Sequence, residues 1–349
     1  MTEQDPRFEA LLGFLRQSRG FDFTAYKRST LMRRCFKRMQ AVGAGDYEAY
    51  ATYLEAHSDE CQQLFDTILI NVTSFFRDPG AWQFLADTIL DPLLERRGAA
   101  EPLRVWSAGC SSGEEAFSLA ILLAEALSRS LGEVQGLALF QRFVKIYATD
   151  VDEHALQQAR QATYPAGALE PVPPGLRTKY FQAEGDAFRL RADVRRCVIL
   201  SRHDLIQDPP ISRLDLLVCR NTLMYFHAEA QRRIVARFHS ALNDGGCLFL
   251  GGAEMLLTHT HLFRPVDLGH RVFARVPETD LRDRRVIFSQ GGDESAASQL
   301  GRPIHLRAVP RHGRGGSAPG AAASPLALTA QRHLGEDPEQ WPQRPAKAN

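Results

Sequence analysis

Two different hydrophobic patterns divide the chain. Over residues 5–90 the apolar residues recur at helical spacing, as in Phe8, Leu11 and Leu15, and no alternating strand pattern interrupts them. From Leu103 onward, short apolar runs end in glycine or an acidic residue and are followed by helix-like stretches. That alternation is typical of βαβ units in a parallel sheet. The pattern therefore predicts a helical domain followed by an α/β domain.

Six apolar runs have the length and composition of strands. They are Leu103 to Ala108, Lys145 to Thr149, Cys197 to Ser201, Leu214 to Cys219, Cys247 to Leu250 and Arg271 to Val276. Between Pro165 and Arg196, turn residues surround the alternating stretch Phe188-Arg-Leu-Arg-Ala, which predicts a small antiparallel hairpin. We therefore expect an all-helical domain over residues 1–92 and a doubly wound, mostly parallel, Rossmann-like α/β domain over residues 93–280. The inserted β subdomain is expected at about residues 166–196.

Composition and charge indicate a globular chain without a membrane span. Of its 349 residues 44% are apolar, and 42 Lys plus Arg against 41 Asp plus Glu leave a formal charge of +1. No window approaches the roughly 18 consecutive apolar residues of a transmembrane helix, and the first residues lack a secretory signal. We expect a cytoplasmic protein that neither inserts into a membrane nor binds nucleic acid through bulk charge.

The cysteines and the last residues exclude two further classes. The six cysteines are Cys35, Cys61, Cys110, Cys197, Cys219 and Cys247. They form no C-x-x-C pair, so we expect reduced, buried thiols and neither a metal site nor a disulfide framework. Beyond Gln290 about half of the residues are Gly, Pro, Ala or Ser, and we expect residues 281–349 to be a disordered tail.

The turn after the first predicted strand is the most informative local pattern. The run Val105-Trp-Ser-Ala-Gly-Cys-Ser-Ser-Gly-Glu-Glu leads from a strand through a Gly/Ser loop into an amphipathic helix, as in nucleotide-binding folds. Gly109 and Gly113 allow a ligand to approach the backbone, and Ser112 is expected to cap the helix. In the first helical turn Glu115 would repel a pyrophosphate. This favours a ligand without phosphates, such as S-adenosylmethionine, whose sulfonium cation benefits from a nearby carboxylate.

Polar residues follow the other predicted strands as well. Asp150 ends the second strand, where a carboxylate is suited to accept hydrogen bonds from both ribose hydroxyls of an adenosine. After the third strand Asp204 is a candidate acceptor for an adenine amino group and Leu205 a cover for the ring, although a solvated loop acid is nearly as good an interpretation. Arg220 and Asn221 follow the fourth strand and are expected at the same edge of the sheet.

Two further segments are expected to complete this edge. Tyr225 follows Asn221 closely enough to face the same cleft. The segment Asn71-Val-Thr-Ser-Phe-Phe-Arg-Asp places Thr73 and Arg77 around a Phe-Phe pair that would pack between the domains. Core aromatic residues with incidental polar neighbours are the alternative interpretation of that segment.

Four motifs, in this order and spacing, resemble those of the chemoreceptor glutamate methyltransferase (CheR) family. They are Asn71-Val-Thr-Ser-Phe-Phe-Arg-Asp, Val105-Trp-Ser-Ala-Gly-Cys-Ser-Ser-Gly-Glu-Glu, Ala148-Thr-Asp-Val-Asp and Cys219-Arg-Asn-Thr-Leu-Met-Tyr-Phe. The resemblance runs from about residue 10 to residue 277. Departures from the family pattern occur at Asp204, where an Asn is common, and at Gly109-Cys110, where small Ala residues often stand.

The resemblance implies an activity and a set of site residues. It implies transfer of methyl from S-adenosylmethionine to glutamate carboxylates, with S-adenosylhomocysteine as the second product. The implied contacts to the cofactor, with Gly109 added from the turn itself, are Asn71, Thr73, Arg77, Gly109, Glu115, Asp150, Asp204, Leu205, Arg220 and Asn221. Arg77 and Tyr225 would flank the transferred methyl group.

A cluster of cations on one predicted helix is a candidate docking surface. Lys27, Arg33, Arg34, Lys37 and Arg38 fall within about 140° of one helical face, and the segment contains no acid. A solvated face is the ordinary interpretation, but such dense like charges repel one another unless an anionic surface is offered. We expect this face to dock cytoplasmic helices of chemoreceptors or related sensory proteins. Nucleic acid is the rival anion, disfavoured because aromatic residues do not interleave the cations.

Two other functions stay open from the sequence. A non-catalytic, cofactor-sensing docking module of a signalling pathway would keep the fold and the basic helix, but Arg77 and Tyr225 argue against it. A nicotinamide-dependent dehydrogenase is disfavoured because the first loop lacks G-x-G-x-x-G. We expect a monomer. The loop near Gln182 to Ala187 is short compared with family members that grip a receptor's C-terminal peptide, so we expect no need for that peptide.

Overall fold

The computed structural model describes residues 5–19, 21–69, 71–97, 101–254, 256 and 261–277. The tail expected over residues 281–349 lies outside the described residues. The helices are α1 (Pro6–Arg19), α2 (Arg28–Val42), α3 (Tyr47–Ala56), α4 (Ser58–Ile68), α5 (Pro79–Phe84), α6 (Asp91–Arg97), α7 (Glu114–Leu131), α8 (Glu133–Phe143), α9 (Glu153–Gln161), α10 (Pro174–Tyr180), α11 (Ala192–Arg195) and α12 (Ala228–Ala241). The strands are β1 (Leu103–Ala108), β2 (Val144–Asp150), β3 (Thr163–Pro165), β4 (Phe181–Glu184), β5 (Ala187–Leu190), β6 (Val198–Arg202), β7 (Leu214–Cys219), β8 (Leu242–Leu250), β9 (Phe263–Asp267) and β10 (Val272–Arg275).

Helices α1 to α4 form a domain because their apolar faces share one core. Phe8, Tyr50 and Leu64, from three of these helices, are fully buried in it. Helices α5 and α6, joined by the π-helical turn Leu85–Leu90, instead pack against the sheet, with Trp82 in the sheet's core. The packing therefore changes near residue 70, whereas the sequence pattern placed the domain boundary at residue 92. Helical periodicity shows that a segment is a helix but not which core it joins.

The second domain is built on a seven-stranded sheet of order β6-β2-β1-β7-β8-β10-β9. Strands β6, β2, β1, β7 and β8 run parallel, and β10 and β9 add two antiparallel strands at one edge. This confirms the doubly wound, mostly parallel fold. Every residue of β7 is buried, as expected of a central parallel strand covered on both faces. Because the chain winds to one side of β1 and then to the other through β7, a crevice lies at the carboxyl ends of these strands.

The edge of the sheet and the insertion differ from expectation in detail. Strand β9 was not expected because it carries Pro265, and only Phe263 among its residues is buried. Both features are typical of an edge strand, where hydrophobic alternation is weak. The inserted subdomain is a three-stranded antiparallel sheet of order β3-β5-β4 that begins at Thr163. Its β4 and β5 are joined by the two residues Gly185 and Asp186, a hairpin as short as expected.

All six cysteines lie in the described residues, are buried and form no disulfide. Burial raises the pKa of each of their thiols for which a shift is resolved, including Cys110 in the β1 loop and Cys219 at the end of β7. Buried thiols with a raised pKa form little thiolate and react slowly. Within the described ranges, no helix is both long and apolar enough to cross a bilayer.

Candidate active site

A cleft opens at the carboxyl ends of β1, β2 and β7, between the sheet and the helical domain. It holds about 990 Å³ when the space open to solvent is included. Every residue expected to bind cofactor or to act in catalysis lines it: Asn71, Thr73, Arg77, Gly109, Glu115, Asp150, Asp204, Leu205, Arg220, Asn221 and Tyr225. The structure therefore brings together residues that are up to 154 positions apart in the chain, from Asn71 to Tyr225.

The loop after β1 forms the floor of the cleft. The backbone N–H groups of Gly109 and Cys110 both donate to the carbonyl of Thr149, at 2.8 and 3.0 Å. Gly109 has a φ of +80°, and a side chain there would collide with Thr222 across the cleft. The helix cap expected of Ser112 is wrong: Gly113 occupies the N-cap position of α7, and the Ser112 hydroxyl donates to a Glu114 carboxylate oxygen instead.

Glu115 presents a buried carboxylate to the cleft. Its Oε1 accepts a hydrogen bond of 2.8 Å from the Ser107 hydroxyl. Burial raises its pKa to about 7, and the positive charge of Arg220 opposes only part of that shift. A buried carboxylate with no cation of its own in direct contact is suited to receive a cationic group of a ligand.

Asp150 and Asn71 connect the loops at the ends of β1 and β2. The Asp150 carboxylate accepts from the backbone N–H groups of Ser111, at 2.8 Å, and Asp152, at 3.0 Å. Asn71 donates to the Asp152 carboxylate at 2.6 Å and accepts from the Ser111 hydroxyl at 3.2 Å. Asp152 also caps α9. Asn71 thus fixes the loop geometry as well as lining the cleft.

Arg220 holds the segment that carries Arg77. Its Nη1 donates to the Arg77 carbonyl at 2.8 Å, and its Nη2 contacts the Asp78 carboxylate at 2.7 Å. The guanidinium lies against the rings of Trp82 and Phe249, at 5.4 and 4.9 Å from their centroids. Its Nε is buried and has no hydrogen-bond partner among the described residues. That unused N–H is available to an acceptor in the cleft.

The backbone around Arg77 is strained. Phe76 and Asp78 have φ values of +48° and +58°, a region that bulky L-residues rarely adopt. Ser111 and Asn221, which line the cleft, also have positive φ values. Strained residues persist only where their surroundings enforce them, and they cluster at functional sites. The Arg77 side chain itself donates to the Val72 carbonyl at 3.1 Å near the cleft mouth.

Glu254, which the sequence analysis missed, organises the turn that leads to Tyr225. Its buried carboxylate accepts four backbone N–H groups, those of Gly251, Asn221, Thr222 and Leu223, at 2.7 to 3.0 Å. The sequence showed Glu254 only as an acidic residue shortly after a predicted strand. Nothing near it in the sequence indicated that three of its four hydrogen-bond donors lie about thirty residues earlier. On the adenine side, Asp204 Oδ1 accepts from Ile206 N at 2.8 Å, so this carboxylate partly stabilises its own loop.

The expected docking cations do not all face solvent. Arg38 donates from Nε to the buried Glu60 carboxylate at 2.9 Å, and Arg34 donates to the Thr67 carbonyl, so both attach α2 to α4. The exposed members of the set are Lys27, Arg33 and Lys37. Phe36, on the same helix, is 48% exposed.

The residues of the cleft match the chemistry of S-adenosylmethionine. Two carboxylates, Glu115 and Asp150, suit cationic and hydroxyl groups, and the unpartnered Arg220 Nε suits a carboxylate. Leu205 and Val151 supply apolar surface for an adenine ring. Across the described ranges, no three His, Cys, Asp or Glu side chains gather in a way that could hold a metal ion.

Family models match both parts of the chain. The model described as "CheR methyltransferase, SAM binding domain" matches residues 71–272, and "CheR methyltransferase, all-alpha domain" matches residues 6–69. Similar proteins include an uncharacterized 104.1 kDa protein of Rhodobacter capsulatus, 37% identical over 266 residues. This chain covers 27% of that protein, and the match covers 76% of this chain.

Shorter relatives match over nearly their whole length. A chemotaxis protein methyltransferase of Listeria innocua is 34% identical over 72% of this chain and 88% of the relative. One of Escherichia coli K12 is 30% identical over 78% of this chain and 93% of the relative. The matched segments contain the cleft and the helical domain described above.

Proposed function

Because the chain belongs to the CheR methyltransferase family, we propose that it methylates glutamate side chains of chemoreceptors and so serves sensory adaptation. Its cofactor is S-adenosylmethionine, since the family domain matched over residues 71–272 is a domain that binds this molecule. The names of the Listeria and Escherichia relatives support a role in chemotaxis. The observation that carries the proposal is the convergence of Arg77 and Tyr225 on one cleft with Glu115 and Asp150.

The reaction requires little acid–base catalysis by the protein. S-adenosylmethionine supplies a methyl group on a sulfonium, and a glutamate oxygen forms the new O–C bond as the C–S bond breaks, leaving S-adenosylhomocysteine and a methyl ester. A glutamate carboxylate, with an ordinary pKa near 4.3, is already ionised at neutral pH, so no general base is required. Holding two reactants in near-attack geometry supplies roughly 7–11 kcal/mol. Positioning and exclusion of water are therefore the main tasks of the cleft.

The residues divide these tasks between them. Arg77, at the mouth of the cleft, is suited to hold a carboxylate by a bidentate pair. Tyr225, a neutral donor, would orient the attacking oxygen without neutralising it. Glu115 and Asp150 would receive the ammonium or sulfonium and the ribose of the cofactor, and the free Arg220 Nε would receive an acceptor of its amino-acid part.

The exposed cations of α2 are the proposed receptor contact. The exposed cations of this set are Lys27, Arg33 and Lys37. Lys27 is the N-cap of α2, and its backbone N–H donates to the Tyr225 carbonyl at 2.9 Å. This hydrogen bond links the start of the helix to the segment that carries Tyr225. Receptor helices that carry glutamate at their methylation sites offer the complementary charge. We place this reaction in the cytoplasm.

Incubation with methyl-labelled cofactor and receptor cytoplasmic fragments tests the proposal. We expect label on the fragment that is released by mild alkali, as an ester must be. Arg77→Ala is expected to lower turnover at least tenfold with the unfolding midpoint unchanged. Arg196→Ala, at an exposed arginine outside the cleft, is the matched control and should keep full turnover.

Two results would contradict the proposal. Label that resists alkali would indicate methylation of nitrogen or sulfur. Binding of S-adenosylhomocysteine without any labelling of receptor fragments would instead favour a cofactor-sensing docking module.

A further inference from the structure

We propose that Tyr26, in the loop before α2, is a cofactor-binding residue that the helical domain supplies to the adenosine half of S-adenosylmethionine. The residue was not among those expected from the sequence. The inference depends on the cofactor and not on the identity of the methyl acceptor.

Tyr26 lies in the wall of the cleft that faces the ends of β2 and β6. It lines the same cavity as Asp150, Val151, Asp204 and Leu205. In doubly wound folds the acid at the end of the second strand holds the ribose hydroxyls, so this is the adenosine side. Glu115 and Arg220 lie on the other side of the β1 loop, where the amino-acid part would bind. Tyr26 is therefore opposite the nucleoside half.

Aromatic rings of both domains fix the Tyr26 side chain. Its ring centroid is 4.6 Å from that of Phe226, with the planes inclined at 42°. The rings of Phe21 and Phe23 each lie 5.8 Å away in edge-on geometry. Such packing restricts the ring to one orientation before a ligand arrives, which lowers the entropy cost of binding.

The backbone of Tyr26 is fixed as well. Tyr26 and Phe226 form an antiparallel β-bridge, in which Lys27 N donates to Tyr225 O at 2.9 Å and His227 N donates to Ala25 O at 3.0 Å. The two domains are thus joined by backbone hydrogen bonds at the position where Tyr26 meets the cleft. A binding residue on such a fixed segment is held more accurately than one on a free loop.

The Tyr26 hydroxyl is available to a ligand. Within the described part of the chain, no hydrogen bond is formed by this hydroxyl, and the residue is partly exposed where it lines the cleft. Burial raises its pKa, and the charges of Asp204 and Asp150 raise it further. The hydroxyl therefore remains protonated at neutral pH and is a donor facing two carboxylates, between which the hydroxyl or amino groups of an adenosine would fit.

The ring also separates the cleft from a second groove. That groove is lined by Lys27, Arg28 and His227 and shares Tyr26 with the cleft. Removal of the ring would join the two spaces and admit water to the nucleoside side of the cleft. The ring and the hydroxyl thus have separable effects on binding.

Calorimetry with two ligands tests the assignment. S-adenosylhomocysteine contains both halves of the cofactor, and 5′-methylthioadenosine contains the adenosine and thioether without the amino-acid part. Tyr26→Phe keeps the ring and the bridge, and we expect it to raise the Kd of both ligands by the same factor, about five- to tenfold for one lost hydrogen bond. In the methylation assay it should raise KM for the cofactor with kcat nearly unchanged.

Controls separate binding from folding. Tyr53→Phe, in a half-exposed tyrosine of α3 stacked on His57, should leave both Kd values unchanged. Tyr26→Ala should weaken both ligands more than Tyr26→Phe does, and a shift of its unfolding midpoint would show any loss of the bridge. If Tyr26→Phe bound both ligands within twofold of the unaltered protein, or weakened S-adenosylhomocysteine alone, the assignment would be wrong. Neither binding assay contains a methyl acceptor, so failure to methylate receptor glutamates would leave the result intact.

Discussion

Arg220 is the side chain that determines the shape of the cleft at the residue scale. It contacts the Arg77 carbonyl and the Asp78 carboxylate and lies against the rings of Trp82 and Phe249. These contacts enforce positive φ values on both sides of Arg77, which the chain would not adopt unaided. Arg220, which is almost fully buried, thus fixes the backbone from which the Arg77 side chain extends.

Glu115 should make cofactor binding depend on pH. Because burial raises its pKa from 4.5 to about 7, the unliganded folded protein binds more protons than the unfolded chain between these values. The stability of the unliganded protein therefore falls as the pH rises from about 4.5 through 7. A bound cationic cofactor favours the carboxylate, so the affinity for S-adenosylmethionine should rise over the same window and level off above it.

Calorimetry from pH 5.5 to 8 in two buffers of different ionisation enthalpy measures this effect. Proton release on binding is expected near pH 6 and should vanish in Glu115→Gln. Glu153→Gln, at an exposed carboxylate in the first turn of α9, should retain the release. A pH-independent affinity in the unaltered protein would show that Glu115 is ionised before the ligand arrives.

The cleft residues at the ends of strands could be predicted from the sequence because each lies at the end of an apolar run. Asp150 and Arg220 could be placed in this way, since parallel strands bring their carboxyl ends to one edge. Tyr26 and Glu254 could not, because they reach the site through a bridge and through backbone acceptors distant in the chain. The contact of Arg38 with Glu60 could not be predicted for the same reason, because Glu60 lies on another helix.

The turn after β7 is the element on which the position of Tyr225 depends. One buried carboxylate, that of Glu254, accepts all the backbone N–H groups of the run Asn221-Thr222-Leu223. The turn, which leads into the short 3-10 helix Leu223–Tyr225, thus has a fixed conformation. A single side chain from the segment after β8 therefore couples two strand ends.

Substitution of Glu254 tests this coupling. Glu254→Gln offers one amide oxygen and one NH₂ group where two carboxylate oxygens accept four N–H donors, so at least one donor is left unpaired. We expect the free energy of unfolding to fall by about 2–3 kcal/mol in denaturant titration. Glu229→Gln, at an exposed glutamate of α12, should change it by less than about 0.5 kcal/mol. Equal stabilities of the two variants would contradict the role given to Glu254.

Element by element, the sequence predicted the central strands better than the edge. Runs such as β1 and β7 are mostly apolar and almost entirely buried because helices cover both faces of the sheet. Strand β9 is covered less, contains Pro265 and lacks such a signal. The helices α5 and α6 were identified as helical, but their membership of the sheet's core depends on contacts that no periodicity records.

At the scale of the whole molecule, the two domains share one cleft, and helix α2 is attached to both of them. Helix α2 is attached to α4 through Arg34 and Arg38 and to the methyltransferase domain through the Lys27 N–H. The surface left for a receptor is therefore narrower than the charge pattern suggested. We propose that it consists of Lys27, Arg33 and Lys37, which are exposed.

Charge reversal distinguishes docking cations from structural ones. Arg33→Glu combined with Lys37→Glu should weaken receptor association about tenfold at low salt, with less effect at high salt and an unchanged unfolding midpoint. Arg38→Glu should instead lower the free energy of unfolding by about 3 kcal/mol, because Glu60 would lose its partner inside the helical domain. Binding measured by surface plasmon resonance and unfolding in denaturant separate the two effects. Unchanged receptor binding in the double variant would exclude this surface.

The burial of all six thiols makes the native protein a convenient starting point for chemical mapping. A maleimide or a photoactivatable thiol-reactive reagent would react only slowly with the buried native thiols of the folded protein. A cysteine introduced at Arg33 would then be the dominant point of attachment, and its covalent adducts would report directly which segment of a sensory protein rests against α2 during turnover.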